Sequence, residues 1–491
     1  MRVAWFSPMP PVPSGIARCS ADLVSALSSV HEIDVYVDEP VARMAAATPA
    51  LSLGARSAHE FVWRHRRDPY ELTVYQLGNS SHHDFLWPYL FRYPGLTVLH
   101  DAHLHHARAA TLLRTGRAAD YRAEFTASHP AADPEAAELA VAGFDSFLYY
   151  AWPMTRLVIE RSRLTAVHAP VLAAALAEEL PGATIEAVHL GHGELVPDTE
   201  VAAATSRVRS ERGIRQDAIV FGVYGGLTPE KRLPQVLNAF EALIRYSPDS
   251  HLLLAGAPAE HYDVAADVRR RGLESRVTIT GYLESEAELT ACIAACDVAL
   301  ALRWPTAREI SGPWLRALGA GRATIIMDLE HLSDVPSLDP RTWTLNAGPE
   351  SSVRRERATP SPRHSSPDLF GSGGGQAPVS DLPIPGQEPR VPSPVCVAID
   401  VMDEDHSLQL AMRRLSVDPD LRRALGAAGR AYWRREHSPE RMVADYLALL
   451  PRAAAKPAPD PVLPSHLING GDHRLHLLLA DVGVGRPWDK L

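Results

Sequence analysis

The chain has 491 residues, 46% of them hydrophobic and 22% charged. It is too long for a single core and ordinary in composition, so two or three globular domains are expected. Its formal net charge of −10 lacks the clustered basic charge that general nucleic-acid binding requires. The opening Met1–Ser7 is a short apolar run that meets prolines at once, without the apolar core and cleavage site of a secretory signal. No apolar run approaches the ~20 residues of a membrane-spanning helix. A cytoplasmic location is expected, compatible with peripheral contact at the inner face of a membrane. Of the four cysteines, Cys292 and Cys296 stand one helical turn apart in an apolar stretch. With no further ligands nearby they read as core rather than as a metal pair.

In chain order, short apolar runs alternate with amphipathic helical windows, the pattern of parallel sheets covered by helices. Arg2–Phe6 reads as a strand, followed by a Pro/Gly/Ser loop, a helical window over Ala17–Ser28 and a second strand at Ile33–Val37. Leu72–Gln76 and Leu96–Leu99 read as buried strands ending in polar residues, and Leu157–Ile159 and Ala166–His168 belong to the same half. A second α/β unit begins with a strand at Ile219–Val223, a glycine turn and a helix over Pro234–Arg245. Further strands are expected at His251–Ala255, Val277–Thr280, Asp297–Leu302, Thr324–Met327 and Val395–Ile399. From about 348 to 394 the chain is rich in Pro, Ser and Gly and poor in apolar residues. It cannot bury enough surface to offset its chain entropy, and reads as a disordered insertion. Helical windows at Ser407–Ala431 and Pro439–Leu450 precede a Pro-rich stretch and a helical-looking tail, Asp472–Val482.

Ligands of open parallel sheets bind beyond the carboxyl ends of the strands, so the chemistry is sought there. The first such stretch is Ser14-Gly15-Ile16-Ala17, where a helix start can face an anion or a sugar hydroxyl and Gly15 removes the Cβ from its path; a plain strand-to-helix turn is the alternative. The second is Gly78-Asn79 with His82 nearby, and the third is Leu99-His100-Asp101 followed by His103, His105 and His106. Zinc is the sharp alternative for this polar cluster, but no recognisable ligand constellation completes it. His100 and Asp101 are therefore read as touching a polar substrate, and some of the later histidines as helix surface. The fourth stretch, Gly225-Gly226 followed by Lys231 and Arg232, reads as a diphosphate cradle, since cations at a helix start oppose the macrodipole unless an anion answers them. The fifth, from Arg303 to Glu309-Ile310-Ser311-Gly312, offers a carboxylate for hydroxyls and helix-start N–H groups for phosphate; a simple capping carboxylate is the alternative.

Taken together and in this order, with Gly321-x-Ala-Thr-Ile following, the five stretches resemble the retaining, family-4-type glycosyltransferases of the GT-B fold (glycosyl transferases group 1). The similarity spans residue 1 to about 455 apart from the insertion. The resemblance implies an α/β fold of two Rossmann-like domains whose parallel sheets face each other across a cleft. Residues 1–205 would form the acceptor-side domain and 206–430 the nucleotide-sugar domain. Residues 431–455 would be a helix packing back on the first domain, and 456–491 a tail. It further implies sugar transfer from a nucleotide-diphosphate sugar to an acceptor hydroxyl with retention, and no required cofactor or metal. The acceptor would be a glycan, a lipid-linked or a small molecule, as in cell-surface polysaccharide biosynthesis.

By the same resemblance His100, Asp101, Lys231 and Glu309 form the catalytic set. His100 would contact the transferred sugar, Lys231 the diphosphate and Glu309 the sugar hydroxyls. Ser14, Gly15, Gly225, Gly226, Arg232, Arg303, Ile310, Ser311 and Gly312 would hold the donor, and Asn79 and His82 would lie on the acceptor side. Two positions depart from the family. The arginine usually found five residues before Lys231 is Gly226, for which Arg232 or Arg303 would substitute. The second glutamate of the usual Glu-x7-Glu falls on Ala317 counted from Glu309, or on Arg316 aligned on Gly321. A nucleotide-sugar epimerase of similar fold and a non-catalytic sugar-nucleotide-binding protein are the alternatives. A nicotinamide dehydrogenase is disfavoured because no Gly-x-Gly-x-x-Gly follows the first strand.

Overall fold

The computed structural model describes residues 1–38, 40, 55–144, 148–192, 195–260, 262–283, 285–346 and 393–468. The Pro/Ser/Gly segment expected to be a disordered insertion lies outside these residues except for its last two, as does the tail helix expected at Asp472–Val482.

The first half is a seven-stranded sheet ordered β3-β2-β1-β4-β5-β6-β7, all parallel. Its strands are β1 (Arg2–Phe6), β2 (Glu32–Val37), β3 (Arg56–Ser57), β4 (Leu72–Leu77), β5 (Leu96–Leu99), β6 (Leu164–Val167) and β7 (Ile185–Ala187). The second sheet is ordered β10-β9-β8-β11-β12-β15-β13-β14. It comprises β8 (Ile219–Tyr224), β9 (Ser250–Ala255), β10 (Val277–Ile279), β11 (Val298–Ala301), β12 (Ala323–Met327), β13 (Ser337–Leu338), β14 (Leu345–Asn346) and β15 (Cys396–Ile399). Only the β13–β14 pair is antiparallel. The expected two-sheet α/β architecture is borne out. In each half the order reverses beside the first strand, between β1 and β4 and between β8 and β11, which opens a crevice at the carboxyl ends of those strands.

These strands form because near-continuous apolar runs are buried on both faces. In the first half Val3, Trp5, Val74 and Val98 pack to one side and Ala4, Phe6, Tyr75 and Leu77 to the other. Leu157–Ile159 is not a strand; it is the buried side of the Arg156–Arg161 helix. Three apolar residues cannot by themselves distinguish the two periods. The helical window 407–431 divides into helices Glu404–Val417 and Pro419–Glu436, because Pro419 cannot continue the first and Asp418 caps the second, accepting from Leu421 N at 2.9 Å. The helix Val201–Glu211 spans the expected boundary at 205/206 and buries Ala204 and Val208 against Ile214 and Val220.

The helix Pro439–Ala455 returns to the first half, where Tyr446, Leu449, Leu450 and Ala453 are fully buried beside Trp5 and Leu23. The outgoing passage 188–192 and the incoming one at 433–445 are laced together by polar contacts. His189 N and Nδ1 meet Asp445 Oδ2 at 2.9 and 2.7 Å, His192 N donates to His437 O at 3.2 Å, and Trp433 Nε1 donates to His192 O at 2.9 Å. All four cysteines are buried and free. No helix among the described residues is long and apolar enough to cross a membrane.

Candidate active site

The expected residues lie at the carboxyl ends of β1, β4, β5, β8 and β11, and most of them converge. From the first half, the Gly15–Leu27 helix is capped by Ser14, whose Oγ accepts from Ile16 N at 3.2 Å. A Cβ on Gly15 would meet nothing within 4 Å, so the helix start opens onto free space. At the end of β4, Gly78 is required by close packing: a Cβ there would lie 2.5 Å from Ile16 Cδ1 and 2.9 Å from His83 Nε2. Asn79 N donates to Asp101 Oδ2 at 2.7 Å, while the Asn79 side chain accepts from Ala107 N at 3.0 Å and meets His106 Nδ1 at 3.2 Å. This set of bonds fixes Asp101 at the end of β5. His82 is exposed on the neighbouring short turn, and its buried neighbour His83 is held through Nδ1 by Gln76 O at 2.9 Å.

His100 is placed differently from a free substrate contact. Both ring nitrogens are engaged within the protein, Nε2 with Gln76 Oε1 at 2.7 Å and Nδ1 with His168 Nε2 at 3.0 Å. Of the later histidines only His106 is partly exposed on a helix. His103 and His105 are buried, and His105 joins Trp152 O and Tyr121 OH, each at 2.7 Å. His105 belongs to helix His105–Arg114, which shares a core with helices Ala118–Ser128 and Glu135–Val141, with Leu112, Tyr121 and Phe125 at its centre. No group of three His, Cys, Asp or Glu side chains among the described residues is arranged to hold a metal ion.

In the second half, β8 ends in a turn where Gly225 has φ +82° and would bring a Cβ within 3.1 Å of Lys231 Nζ. A side chain here would be strained and would intrude on the lysine. Lys231 Nζ donates to Tyr224 O. Burial, with Arg303 beside it, lowers its pKa to about 7, against the opposing pull of Glu309. Gly226 carries no comparable constraint: a Cβ would have only Thr228 Cγ2, at 3.8 Å. The two candidate substitutes for the missing arginine separate clearly. Arg232 turns away and grips Glu404 through two bonds, one of them Nε to Oε1 at 2.8 Å. Arg303 stays in the cleft, paired through Nε with Glu309 Oε1.

Glu309 is held firmly. Its Oε2 accepts from Thr306 Oγ1 and Ala307 N, each at 2.9 Å, within a turn that sets Arg308 at φ +58°. The following helix Gly312–Gly319 is capped by Ser311, whose Oγ accepts from Trp314 N at 3.3 Å. A Cβ on Gly312 would come within 3.0 Å of the His192 ring. Tyr224, Lys231, Arg303, Glu309, Ser311 and Gly312 line a cavity of about 200 Å³. Ile310 lines this cavity and also a second one of about 290 Å³ toward the interdomain passages, where His168, His331 and His437 lie.

The halves meet at this point. Ala102 N donates to Ala307 O at 2.8 Å, and Asp101 faces the Glu309–Arg303 pair across the cleft. Burial and the Glu309 charge raise the Asp101 pKa to about 6, although the Asn79 N–H and Arg303 favour its ionised form. Tyr150 joins the group: burial and the nearby Glu230, Glu309 and Asp101 raise its phenol to about 12, and its ring lies 4.8 Å from that of His106, near edge-on. Sequence reasoning passed over Tyr150, because Tyr149-Tyr150 carries no motif and only the folding of the chain brings it to the cleft. Arg316, at the family's second-glutamate position, is buried and bonds His192 Nε2 at 3.0 Å while pairing with Glu286.

Residues 218–342 match the family model described as Glycosyl transferases group 1. The fold is GT-B. Solved structures similar along nearly their whole length include a sucrose-phosphate synthase from Thermosynechococcus elongatus, 13% identical, with a TM-score of 0.54 over 92% of this chain and 98% of that one. Anabaena Alr3699/HepE, solved in complex with UDP and glucose, is 12% identical with a TM-score of 0.54 over 92% and 99%. A glycosyltransferase from Rickettsia africae is 8% identical with a TM-score of 0.56 over 92% and 98%. No curated protein matches. The matched segment contains Gly225, Lys231, Arg303, Glu309, Ser311 and Gly312, so the cavity lies within the residues that match this family model.

The placement of Arg232 yields a sharp expectation. Arg232→Ala leaves Glu404 unpaired and should lower stability by about 1.5–3 kcal/mol in chemical denaturation, while nucleotide-sugar affinity stays at the wild-type value. Loss of affinity without loss of stability would place Arg232 back in the donor site.

Proposed function

We propose that the protein transfers a glycosyl group from a nucleotide-diphosphate sugar to an acceptor hydroxyl, with retention of configuration. The observation that carries this reading is the convergence on one cavity, within the segment that matches the glycosyltransferase family model, of a half-buried lysine beside a glycine turn, a helix start and an arginine-paired carboxylate. Asp101 faces that cavity from the other half. The diphosphate would lie against Gly225 and the Ser311–Gly312 helix start, its charge met by Lys231 and Arg303. Glu309, already fixed by the Thr306–Ala307 turn, would receive sugar hydroxyls. The acceptor would enter from the side of Asn79, His106 and Tyr150, with its hydroxyl oriented by the Asp101 carboxylate. Relatives of the same fold have been solved with UDP and glucose, as in Alr3699/HepE, or with ADP and acarbose, as in Arabidopsis starch synthase IV.

A thermal-shift screen against UDP-, GDP-, ADP- and dTDP-sugars should single out one base. Ligand at a hundred times its dissociation constant stabilises by about 2.7 kcal/mol. Because Lys231 titrates near 7 in the free protein and a bound diphosphate favours its cation, binding takes up a proton above that pH. Donor affinity should therefore fall as pH rises above about 7, by up to about tenfold per unit. Lys231→Met should bind weakly and without that slope; an unchanged slope in the variant would reject the assignment.

Transfer should depend on Asp101 in the opposite sense. Its carboxyl is mostly protonated below about pH 6, so the transfer rate should climb through that pH as the carboxylate forms. In Asp101→Asn the rate should be lower by roughly 10²-fold or more and the ascending limb absent. Retention of the limb in the variant would remove Asp101 from the reaction centre.

A further inference from the structure

The hydrogen-bond chain through His100 has only one neutral solution. At one end is the backbone carbonyl of Val188, which can only accept; His168 Nδ1, 3.1 Å away, must therefore carry a proton. A neutral His168 then presents a bare Nε2 to His100 Nδ1 at 3.0 Å, and His100 Nδ1 must be the donor. That leaves His100 Nε2 bare, 2.7 Å from the Gln76 amide, so Gln76 must turn its NH2 group toward the ring. The oxygen and nitrogen of an amide are interchangeable in position and are assigned from the network. With the amide so turned, its oxygen faces Tyr446 OH, which stands 3.4 Å from one amide atom and 3.5 Å from the other. Every polar atom then has a partner and every bond points the same way along the chain.

The other solution keeps the Gln76 oxygen on His100 and places a proton between the two rings, making a buried cation. Among the described residues no carboxylate bonds either ring. His83 and His168 stand near His100, and His437 and His189 near His168, each opposing a positive charge. Burial lowers His168 to about 4 and His100 well below its ordinary value. The neutral chain is the one the environment favours.

We propose that His168 and Gln76 are positioning residues that lock His100 as its neutral Nδ1–H tautomer, anchored to both interdomain passages. Val188 begins the outgoing passage and is followed by His189, which bonds Asp445. Tyr446, next to Asp445, lies on the returning helix. The inference rests on the glycosyltransferase reading for its functional consequence, not for its structural content. In the locked state His100 neither gives nor takes a proton, and proton exchange at the centre falls to Asp101. The orientation of the β5 end is tied to the place where the two halves hinge.

The direct test is the pair of ring 15N shifts of His100 in the full-length protein labelled with 15N-histidine, followed from pH 6 to 8. The expected result is a protonated Nδ1 and a bare Nε2 throughout. A protonated Nε2, or an imidazolium near neutral pH, would overturn the proposal whether or not the enzyme is active, and so would not be confused with a failure of the functional reading. Gln76→Glu supplies a second readout, since a carboxylate can only accept. It should drive the His100–His168 pair to hold a shared proton near neutral pH and lower kcat about a hundredfold, with a new ionisation in the pH profile. Gln76→Asn should keep the wild-type tautomer. Wild-type kcat and pH profile in a folded Gln76→Glu variant would also overturn it.

Discussion

The site depends on one held carboxylate. Glu309 accepts twice at Oε2 from its own turn and forms an ion pair through Oε1 with Arg303, so the carboxylate is held before any ligand arrives. That arrangement keeps a cation and an anion side by side at the mouth of the cavity. Arg303 and Glu309 offset each other, and Lys231, lowered to about 7, is about half protonated at neutral pH, a state that an incoming dianion would shift toward the cation. Preorganisation of this kind avoids reorganising dipoles as charge moves during reaction. Together with burial, which is the larger cause, the fixed negative charge of Glu309 across the cleft makes the carboxyl of Asp101 resist ionisation.

The second constraint is the hinge. The outgoing strand passage and the returning helix are bonded to each other before they reach either domain core, through His189–Asp445 and His192–His437. The returning helix then buries Tyr446, Leu449 and Leu450 in the first half. The halves are thus joined at one edge and meet at the other through Ala102–Ala307. Between these edges lie both cavities, one on each side of Ile310. The His100 chain runs from Val188, on the outgoing passage, to Tyr446, on the returning helix.

Much of the fold was legible in the sequence because strands buried on both faces write continuous apolar runs, and each is followed by glycine or a polar residue. The β1, β5, β8 and β12 segments were placed within a residue or two on that basis. Leu157–Ile159 shows the limit, since a three-residue run has no period. The site was legible where a backbone needs a special residue, as at Gly225 and Gly78. It was less legible where a side chain chooses its partner in three dimensions. Lys231 and Arg232 are neighbours in sequence, yet the left-handed conformation at Arg232 sends its guanidinium to Glu404. Some histidines after Asp101 read as helix surface because the core that buries His105 is supplied by Tyr121 and Phe125, beyond the reach of local pattern. Tyr150 reaches the cleft for the same reason.

The central claim is that a nucleotide-diphosphate sugar binds in the second-half cavity lined by Lys231, Arg303 and Glu309–Gly312, on the side that faces the first half. Hydrogen–deuterium exchange of the full chain with and without the nucleoside diphosphate tests it most directly. The account predicts slower exchange in peptides covering 224–233 and 309–316, with a smaller effect over 14–18 where the first half faces the ligand. Protection confined to 331–336 and 432–437, around the second cavity, would contradict it.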